Sequence, residues 1–451
     1  MQFLDLKGDM MKVFNRFLSI FAVAVVLQFS AAVAKADIPV STFIGMVNVG
    51  ASLDTTYQYV FNCDNETVAG CPGERGLYPE HNDFSIDSFT LSLEKEADAT
   101  GASPMDKVGF RADILFGEQA ERLGFGFNSD GDGAVSPYQA YISIAPSENF
   151  SIIAGQFTTL AGWELIEAKN NTNISRSLLF YRIPFAHSGA RASYSASGVD
   201  LTFGISNDWD AVDDNDDGKT FEFQTAYSHG SETGFINDLW LGATLYVGKS
   251  DFLESKAFAR DDDGSLADFT AYEMSDASTS MVSANPSDNK TRTLLTLVGS
   301  MTSGKLTFVG DVEFTWVGDG LAEPVLETIT GDDPRTADTT ETTFIGPTGV
   351  AYNDFFRWGV GGYLIYEANK GTTLSLRAEY VDDSDTDGNG VKLFELTPTV
   401  GWKPFGDGGD KGTLETRFEY RWDRADVHYF PSDSGDKKDQ HGLLFQLLYS
   451  I

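Results

Sequence analysis

From residue 41 to the C-terminus the chain alternates apolar and polar side chains in stretches of about ten residues. That is the period of a β-strand with one face in apolar and one in polar surroundings. Lys107 to Gly117 places Val108, Phe110, Ala112, Ile114 and Phe116 on one face and Gly109, Arg111 and Asp113 on the other. Between Leu306 and Val317, Phe308, Val312, Phe314 and Trp316 oppose Thr307, Asp311, Glu313 and Thr315. In Gly412 to Trp422, Leu414, Phe418, Tyr420 and Trp422 oppose Glu415, Arg417, Glu419 and Arg421. No long amphipathic helical pattern interrupts the series.

The pattern predicts sixteen strands, near 46–61, 84–96, 107–116, 138–145, 149–157, 187–196, 199–207, 220–228, 238–248, 291–302, 305–317, 355–367, 372–381, 393–404, 412–422 and 441–451. Their links alternate in length. Short ones include Ala145-Pro146-Ser147-Glu148, Ser197-Gly198, Ser303-Gly304 and the turn at Asn369-Lys370-Gly371, whereas 62–83, 117–136, 158–186, 250–289 and 318–354 are long. Aromatic residues close many of the apolar faces: Trp316, Tyr366, Tyr380, Trp402, Tyr420 and Trp422. Short turns on one side, long loops on the other and aromatic girdles predict an all-β fold, an antiparallel transmembrane β-barrel. A soluble sandwich also alternates, with its apolar face filling a core, and stands as the alternative. The last strand, Leu443 to Ile451, keeps its apolar alternation to the final residue.

Charge narrows the function. The 451 residues carry 32 Lys+Arg against 67 Asp+Glu, a formal charge of -35. This argues against nucleic-acid binding, which needs basic patches. Most of the negative excess falls in the long links. The exception is 158–186, where Lys169, Arg176 and Arg182 outnumber Glu164 and Glu167.

At the N-terminus, Lys12 and Arg16 precede the apolar run Phe17 to Ala34, and Ala34-Lys35-Ala36 closes it. This is the pattern of a secretory signal peptide over residues 1–36, with translation starting at Met10 or Met11 because Asp5 and Asp9 do not suit a basic leader. Residues 37–451 are then one exported domain. Cys63 and Cys71 are the only two cysteines, and in an oxidising compartment they are expected to close a loop disulfide.

Several stretches carry a resemblance. Phe89-Thr90-Leu91-Ser92-Leu93-Glu94-Lys95, Gly109-Phe110-Arg111-Ala112-Asp113, Gly155-Gln156-Phe157, Gly162-Trp163-Glu164, Asn171 to Asn173 and Ser175-Arg176-Ser177 form one part. Tyr181-Arg182-Ile183-Pro184-Phe185-Ala186-His187-Ser188-Gly189, Asn207-Asp208-Trp209-Asp210, Tyr420-Arg421-Trp422-Asp423 and Leu447 to Ile451 continue it. With these the chain resembles the OmpL-like β-barrel porins of Gram-negative outer membranes. Terminal strands of such proteins usually end in Phe, and Ile451 departs from that. The resemblance implies an outer-membrane porin for passive diffusion of small hydrophilic solutes or ions, with the third long loop folded inward as a constriction. It implies lipid and lipopolysaccharide as surroundings and a homotrimer as the assembly to test.

Sixteen strands enclose more space than their own side chains fill, so selectivity is expected from lining charges. In the third long loop Trp163, Leu165, Leu178, Leu179 and Phe180 are expected to pack on the wall. Glu164, Glu167, Lys169, Arg176 and Arg182 are expected to face the lumen, with Asn173 beside them. Arg111, Arg191, Arg357, Arg377, Arg417 and Arg421, with Glu415 and Glu419, fall on polar strand faces. Acidic loop groups opposite a basic wall would set up a transverse field; ordinary ion pairs stabilising the barrel are the competing explanation. Trp240, Tyr246 and Tyr363 on polar faces suggest a sugar track.

Asp130 and Asp132, then Asp213, Asn215 and Asp217, then Asp383, Asp385 and Asp387 have the early spacing of a Ca²⁺ loop. They lack Glu at position 12, having Gln139, Gln224 and Phe394 there. Weak Ca²⁺ or Mg²⁺ binding at these outer loops is the most they suggest; no other cofactor is expected. A hydrolase would need His, nucleophile and orienting group on one face, but His187 and Ser188 point to opposite faces, so enzyme activity is not expected. A surface adhesin or receptor using the long loops is the remaining alternative.

Overall fold

The computed structural model describes residues 40–42, 45–61, 63, 77–78, 81–123, 135–207, 209, 218–231, 234–250, 258–260, 266–268, 290–318, 326–331, 342–347, 355–383, 390–406, 412–430 and 437–451. The expected signal peptide, Cys71, and most of the acidic loop residues lie outside them.

Sixteen strands form the wall. They are β1 Gly45–Val60, β2 Asp83–Lys95, β3 Val108–Phe116, β4 Val135–Ser147, β5 Phe150–Thr158, β6 Ala186–Ala196, β7 Val199–Ser206 and β8 Thr220–Gly230. Then come β9 Asp238–Ser250, β10 Lys290–Ser303, β11 Leu306–Gly318, β12 Phe355–Asn369, β13 Thr372–Asp382, β14 Lys392–Trp402, β15 Thr413–Ala425 and β16 Asp439–Ser450. Each strand pairs antiparallel with its sequence neighbours, and the ring closes where Ser52–Val60 of β1 pairs with Gly442–Ser450 of β16. Closure leaves no sheet edge with unpaired backbone groups, the condition for strands that cross a bilayer. Below the seam, Val40–Thr42 folds back on Gly45–Val47. Two short strand pairs, Phe258–Arg260 with Leu266–Asp268 and Leu326–Gly331 with Thr342–Pro347, form separate two-stranded sheets.

The sixteen predicted strands coincide with the observed ones, differing by a few residues at their ends. The turn between β6 and β7 has positive φ at both Ser197 (54°) and Gly198 (79°), the two-residue conformation that matches strand twist. The longer turn between β2 and β3 is held by Asp98, whose Oδ1 accepts the Thr100 N–H at 2.8 Å and hydroxyl at 2.7 Å.

Burial is inverted relative to a soluble protein. Leu201, Phe203 and Ile205, Phe221 and Phe223, Leu374 and Leu376 are exposed, while the alternate positions Thr202, Glu222, Ser375, Arg377 and Glu379 are buried. A sandwich would bury the first set, so the apolar face is the lipid-facing one.

The buried apolar residues gather in clusters between the wall and segments that join its strands. Ile166, Ile174 and Phe180 pack with Leu115, Tyr138, Leu444 and Tyr78. Leu178 and Leu179 pack with Val381, Leu393 and Phe430. Ala161 and Ile183 pack with Trp209, Tyr246 and Leu294. The helix Glu118–Leu123 contributes Ala120 and Leu123 to the first cluster.

Candidate functional site

Residues 159–185, the link between β5 and β6, have little regular structure beyond two single 3₁₀ turns, Ala168–Asn170 and Phe180–Arg182. Their backbone amides and carbonyls are therefore not used in a ladder and need partners elsewhere. The polar faces of distant strands supply them. Asp311 Oδ2 on β11 accepts the Trp163 N–H at 2.9 Å. Glu379 on β13 accepts the Leu178 N–H at 2.7 Å. Glu419 on β15 accepts the N–H groups of Ile174 at 2.6 Å and Ser175 at 3.0 Å. In return Arg417 donates to the carbonyl of Ala168 at 3.0 Å, and Arg421 to that of Arg176 at 2.7 Å.

Arg377 of β13 is the hub. It is fully buried and donates to Glu164 at 2.7 Å, to the carbonyls of Ser175 (2.7 Å) and Arg176 (3.3 Å), and to both carboxylate oxygens of Glu395 on β14. A guanidinium presents five donors in a fixed fork, and here backbone and carboxylate acceptors surround it. Asn173 donates to Thr399 Oγ1 at 2.7 Å, and Thr172 meets Ser375 Oγ at 3.1 Å.

The segment also ties itself together. Arg176, fully buried, donates to the carbonyls of Leu165, Ile166 and Ile174. Glu164 accepts the Ser177 N–H at 2.6 Å, and Asn171 brackets Leu165 through its amide. Near its start, the hydroxyl oxygen of Tyr246 on β9 accepts the Leu160 N–H at 2.8 Å. Tyr138 of β4 donates to Glu167. Tyr181 accepts the Leu77 N–H at 3.1 Å, and burial pushes the pKa of its phenol up.

This arrangement corrects the expected one. Glu164, Glu167, Arg176 and Arg182 are buried, as are Arg377, Arg417, Glu419 and Arg421. Arg176 ties the segment to itself and the others fasten it to the wall, because an amide or carbonyl without a ladder partner attracts the nearest ionised side chain. An acidic loop facing a basic wall is not the pattern either: wall carboxylates receive loop amides and wall guanidiniums receive loop carbonyls. Leu165, expected against the wall, is 45% exposed. Tyr246 and Tyr363 are buried beneath the segment, Tyr363 beside Trp163 with ring centroids 6.5 Å apart, so they form no open track.

Other expected residues sit apart. Arg191 pairs with Glu222 at 2.5 Å and stacks over Phe157. Arg357 lies 3.8 Å from Asp383, which also pairs with Arg182; Asp383 is thus in an ion-pair cluster, not in an open cation loop. Asp130, Asp132, Asp213, Asn215, Asp217, Asp385 and Asp387 lie outside the described residues. Arg111 retains 30% side-chain exposure beside Glu94 and Asp113, and Lys169, paired with Glu167 at 2.7 Å, retains 24%. Glu415 pairs with Arg417 at 2.9 Å. Cys63 is disulfide-bonded. Sequence reasoning did not single out Glu379, Glu395, Thr397 or Thr399; the density of alternating Arg and Glu on β13 to β15 was the available signal.

Among the described residues no group of three or more His, Cys, Asp or Glu is placed to hold a metal. Residues 46–451 match the family described as "Putative beta-barrel porin-2, OmpL-like". No curated protein matches the chain in sequence. Among solved structures, the chain is similar to the outer-membrane OmpT of Vibrio cholerae, with a TM-score of 0.52 at 11% identity over 92% of this chain and 100% of that one. It is also similar to the anion-selective porin of Comamonas acidovorans, with a TM-score of 0.50 at 10% identity over 90% of this chain and 99% of that one. These likenesses share the fold.

Proposed function

The chain belongs to the OmpL-like β-barrel porin family, and from that premise we propose that it forms a water-filled channel for passive diffusion of small hydrophilic solutes or ions across the outer membrane. One observation carries the reading. Residues 159–185 bond to Tyr138 on β4, Tyr246 on β9, Asp311 on β11, Glu379 on β13 and Glu419 on β15. A single segment reaches those strands together only from inside a closed ring. It therefore occupies part of the lumen and sets the constriction, while the rest of the cross-section is left to solute.

The lining that meets solute differs from the set of buried charges. It consists of groups that keep accessible surface: Glu94 and Arg111 on β2 and β3, Lys169 in the first 3₁₀ turn of the segment, and Glu415 on β15. Both signs are present, so strong selectivity for one ion sign is not expected from this level. The excess negative charge of the outer links enriches cations at the mouth.

Planar-bilayer recording of the purified, refolded barrel tests the proposal. Stepwise ion conductance is expected, with reversal potentials under a salt gradient reporting cation preference. A folded, heat-modifiable barrel that conducts nothing would overturn it and favour an adhesin or receptor.

A further inference from the structure

One row of the inner wall keeps polar atoms that no protein group uses. Glu94 on β2 stands opposite Arg111 on β3, which in turn stands opposite Tyr141 on β4. Side chains paired in this way on one face are close neighbours. Arg111 donates from Nε to Asp113 at 2.6 Å and from Nη1 to Glu94 Oε2 at 3.4 Å. Among the described residues its Nη2 has no acceptor, and neither Glu94 Oε1 nor the Tyr141 hydroxyl has a partner. None of these three atoms is sealed from solvent. The side chains of Arg111 and Glu94 keep 30% and 36% exposure. Arg191, Arg357, Arg377, Arg417 and Arg421 are buried by contrast, so among these wall guanidiniums Arg111 is the one a solute can touch.

The row lies one step along β4 from the segment. Gln139 donates to Asp113 at 2.5 Å, and the adjacent Tyr138 holds Glu167 of the segment. A solute that clears the segment on this side meets the row next. Asp113 is fully buried and grips the guanidinium from behind, which fixes its direction. Charge then sorts the solutes. A lone anion approaching Arg111 is repelled by Glu94 and Asp113, and a lone cation approaching Glu94 is repelled by Arg111. A molecule with a carboxylate and an ammonium on one carbon matches both groups. Its carboxylate accepts from Arg111 Nη2 and the Tyr141 hydroxyl, while its ammonium donates to Glu94 Oε1. Hydrogen bonds between ionised groups are the strong ones. A neutral polyol can bond to the same atoms but gains no Coulomb attraction from either side.

We propose that Glu94, Arg111 and Tyr141 form a contact site for small zwitterions of the α-amino-acid class, and that this row sets which solute the channel favours at low concentration. The inference rests on the channel reading above and deepens it by naming a solute class. Half-exposed groups suit the task, because a site inside a pore must be favourable enough to enter and weak enough to leave.

The experiment is influx of labelled solute into proteoliposomes holding the full refolded barrel at neutral pH, with salt conductance recorded in parallel. L-Serine is the probe; lactate lacks its ammonium, ethanolamine lacks its carboxylate and glycerol lacks both. Serine influx is expected to saturate with concentration, while influx of the other three rises linearly. Saturation by lactate, ethanolamine or glycerol over the same range as serine would overturn the proposal in favour of an anion, cation or hydroxyl site. Glu94→Gln leaves the Arg111–Asp113 pair in place; it is expected to abolish serine saturation and to move the reversal potential toward anions. Tyr141→Phe is expected to raise the half-saturating concentration several-fold, and it carries the test should Glu94→Gln not refold. Serine saturation unaltered in the variant tested overturns the site. A wild-type barrel that conducts salt but takes up serine linearly loses this site alone, whereas one that conducts no salt loses the channel reading and the site together.

Discussion

Arg377 Nη1 lies 2.7 Å from Glu164 Oε1, joining β13 to a segment 213 residues earlier in the chain. Both side chains are buried, and Arg377 also holds Glu395 and the carbonyl of Ser175. A guanidinium in that position neutralises charge on two sides and satisfies backbone acceptors that no ladder reaches.

Arg377→Met is therefore expected to be the most damaging single change at the proposed constriction. It leaves Glu164 and Glu395 buried without their partner, at a cost of about 3–5 kcal/mol. The barrel strands keep their pairing, so the variant should still insert, but its heat-modifiability transition should fall in temperature and its single-channel conductance should rise and become noisy as the segment loosens. Glu164→Gln, which keeps an acceptor for Arg377, should show a much smaller change. Equal conductance and stability in wild type and Arg377→Met would remove Arg377 from this role.

How much of this could be read beforehand divides along a physical line. All sixteen strands were legible because lipid on one side and a polar interior on the other impose a period of two, from Val108 in β3 to Tyr449 in β16. The link 158–186 also stood out through its charge. The direction of its side chains was not legible: whether Arg176 faces water or the carbonyls of Leu165 and Ile166 depends on a backbone path without periodicity. Nor does local sequence reveal that Glu419 will receive the amides of Ile174 and Ser175. Those bonds join positions 244 or more residues apart, and only closure of the ring brings them together. Tyr246 and Tyr363 were misread for the same reason, since an aromatic on a polar face serves equally as a sugar platform and as an anchor.

The anchor role of Tyr246 is open to a direct check. Its hydroxyl oxygen accepts the Leu160 N–H at 2.8 Å, and Thr159 Oγ1 lies 3.2 Å away. Tyr246→Phe keeps the ring stacked on His187 but leaves a covered amide without its acceptor. The expected loss is about 1–3 kcal/mol, seen as a lower unfolding temperature with conductance nearly unchanged, because the segment's far contacts on β13 to β15 persist. A large rise in conductance would mean that this end, not the Arg377 end, controls the constriction.

The disulfide assigned to Cys63 and Cys71 should act locally. A ring this small restricts the unfolded chain by about 2–3 kcal/mol in the loop-entropy account. It lies in the link after β1, whose later residues Leu77 and Tyr78 already meet segment 159–185 without the help of either cysteine. Reduction and alkylation should add two labels and increase protease cleavage between residues 61 and 77, while leaving heat-modifiability and conductance unchanged. A reduced protein that loses its channel would place this link in the constriction as well.

The sharpest test of the inside-out pattern compares two leucines of similar exposure. Leu376 of β13 is 39% exposed and Leu165 of the segment 45% exposed. Accessibility alone does not separate them; what each meets does. Leu376 alternates with the buried Ser375 and Arg377, so its side chain points to lipid, where an arginine near the bilayer midplane costs about 2–4 kcal/mol. Leu165 belongs to a segment bonded to the polar faces of the wall, so in the proposed channel it meets water. Leu376→Arg should therefore lower the yield of folded barrel and its denaturant midpoint in lipid vesicles. Leu165→Arg should fold as wild type and shift the reversal potential toward anions by adding a positive charge to the channel. If both substitutions proved equally harmful to folding, Leu165 would face apolar surroundings and the segment would not lie in a wet lumen.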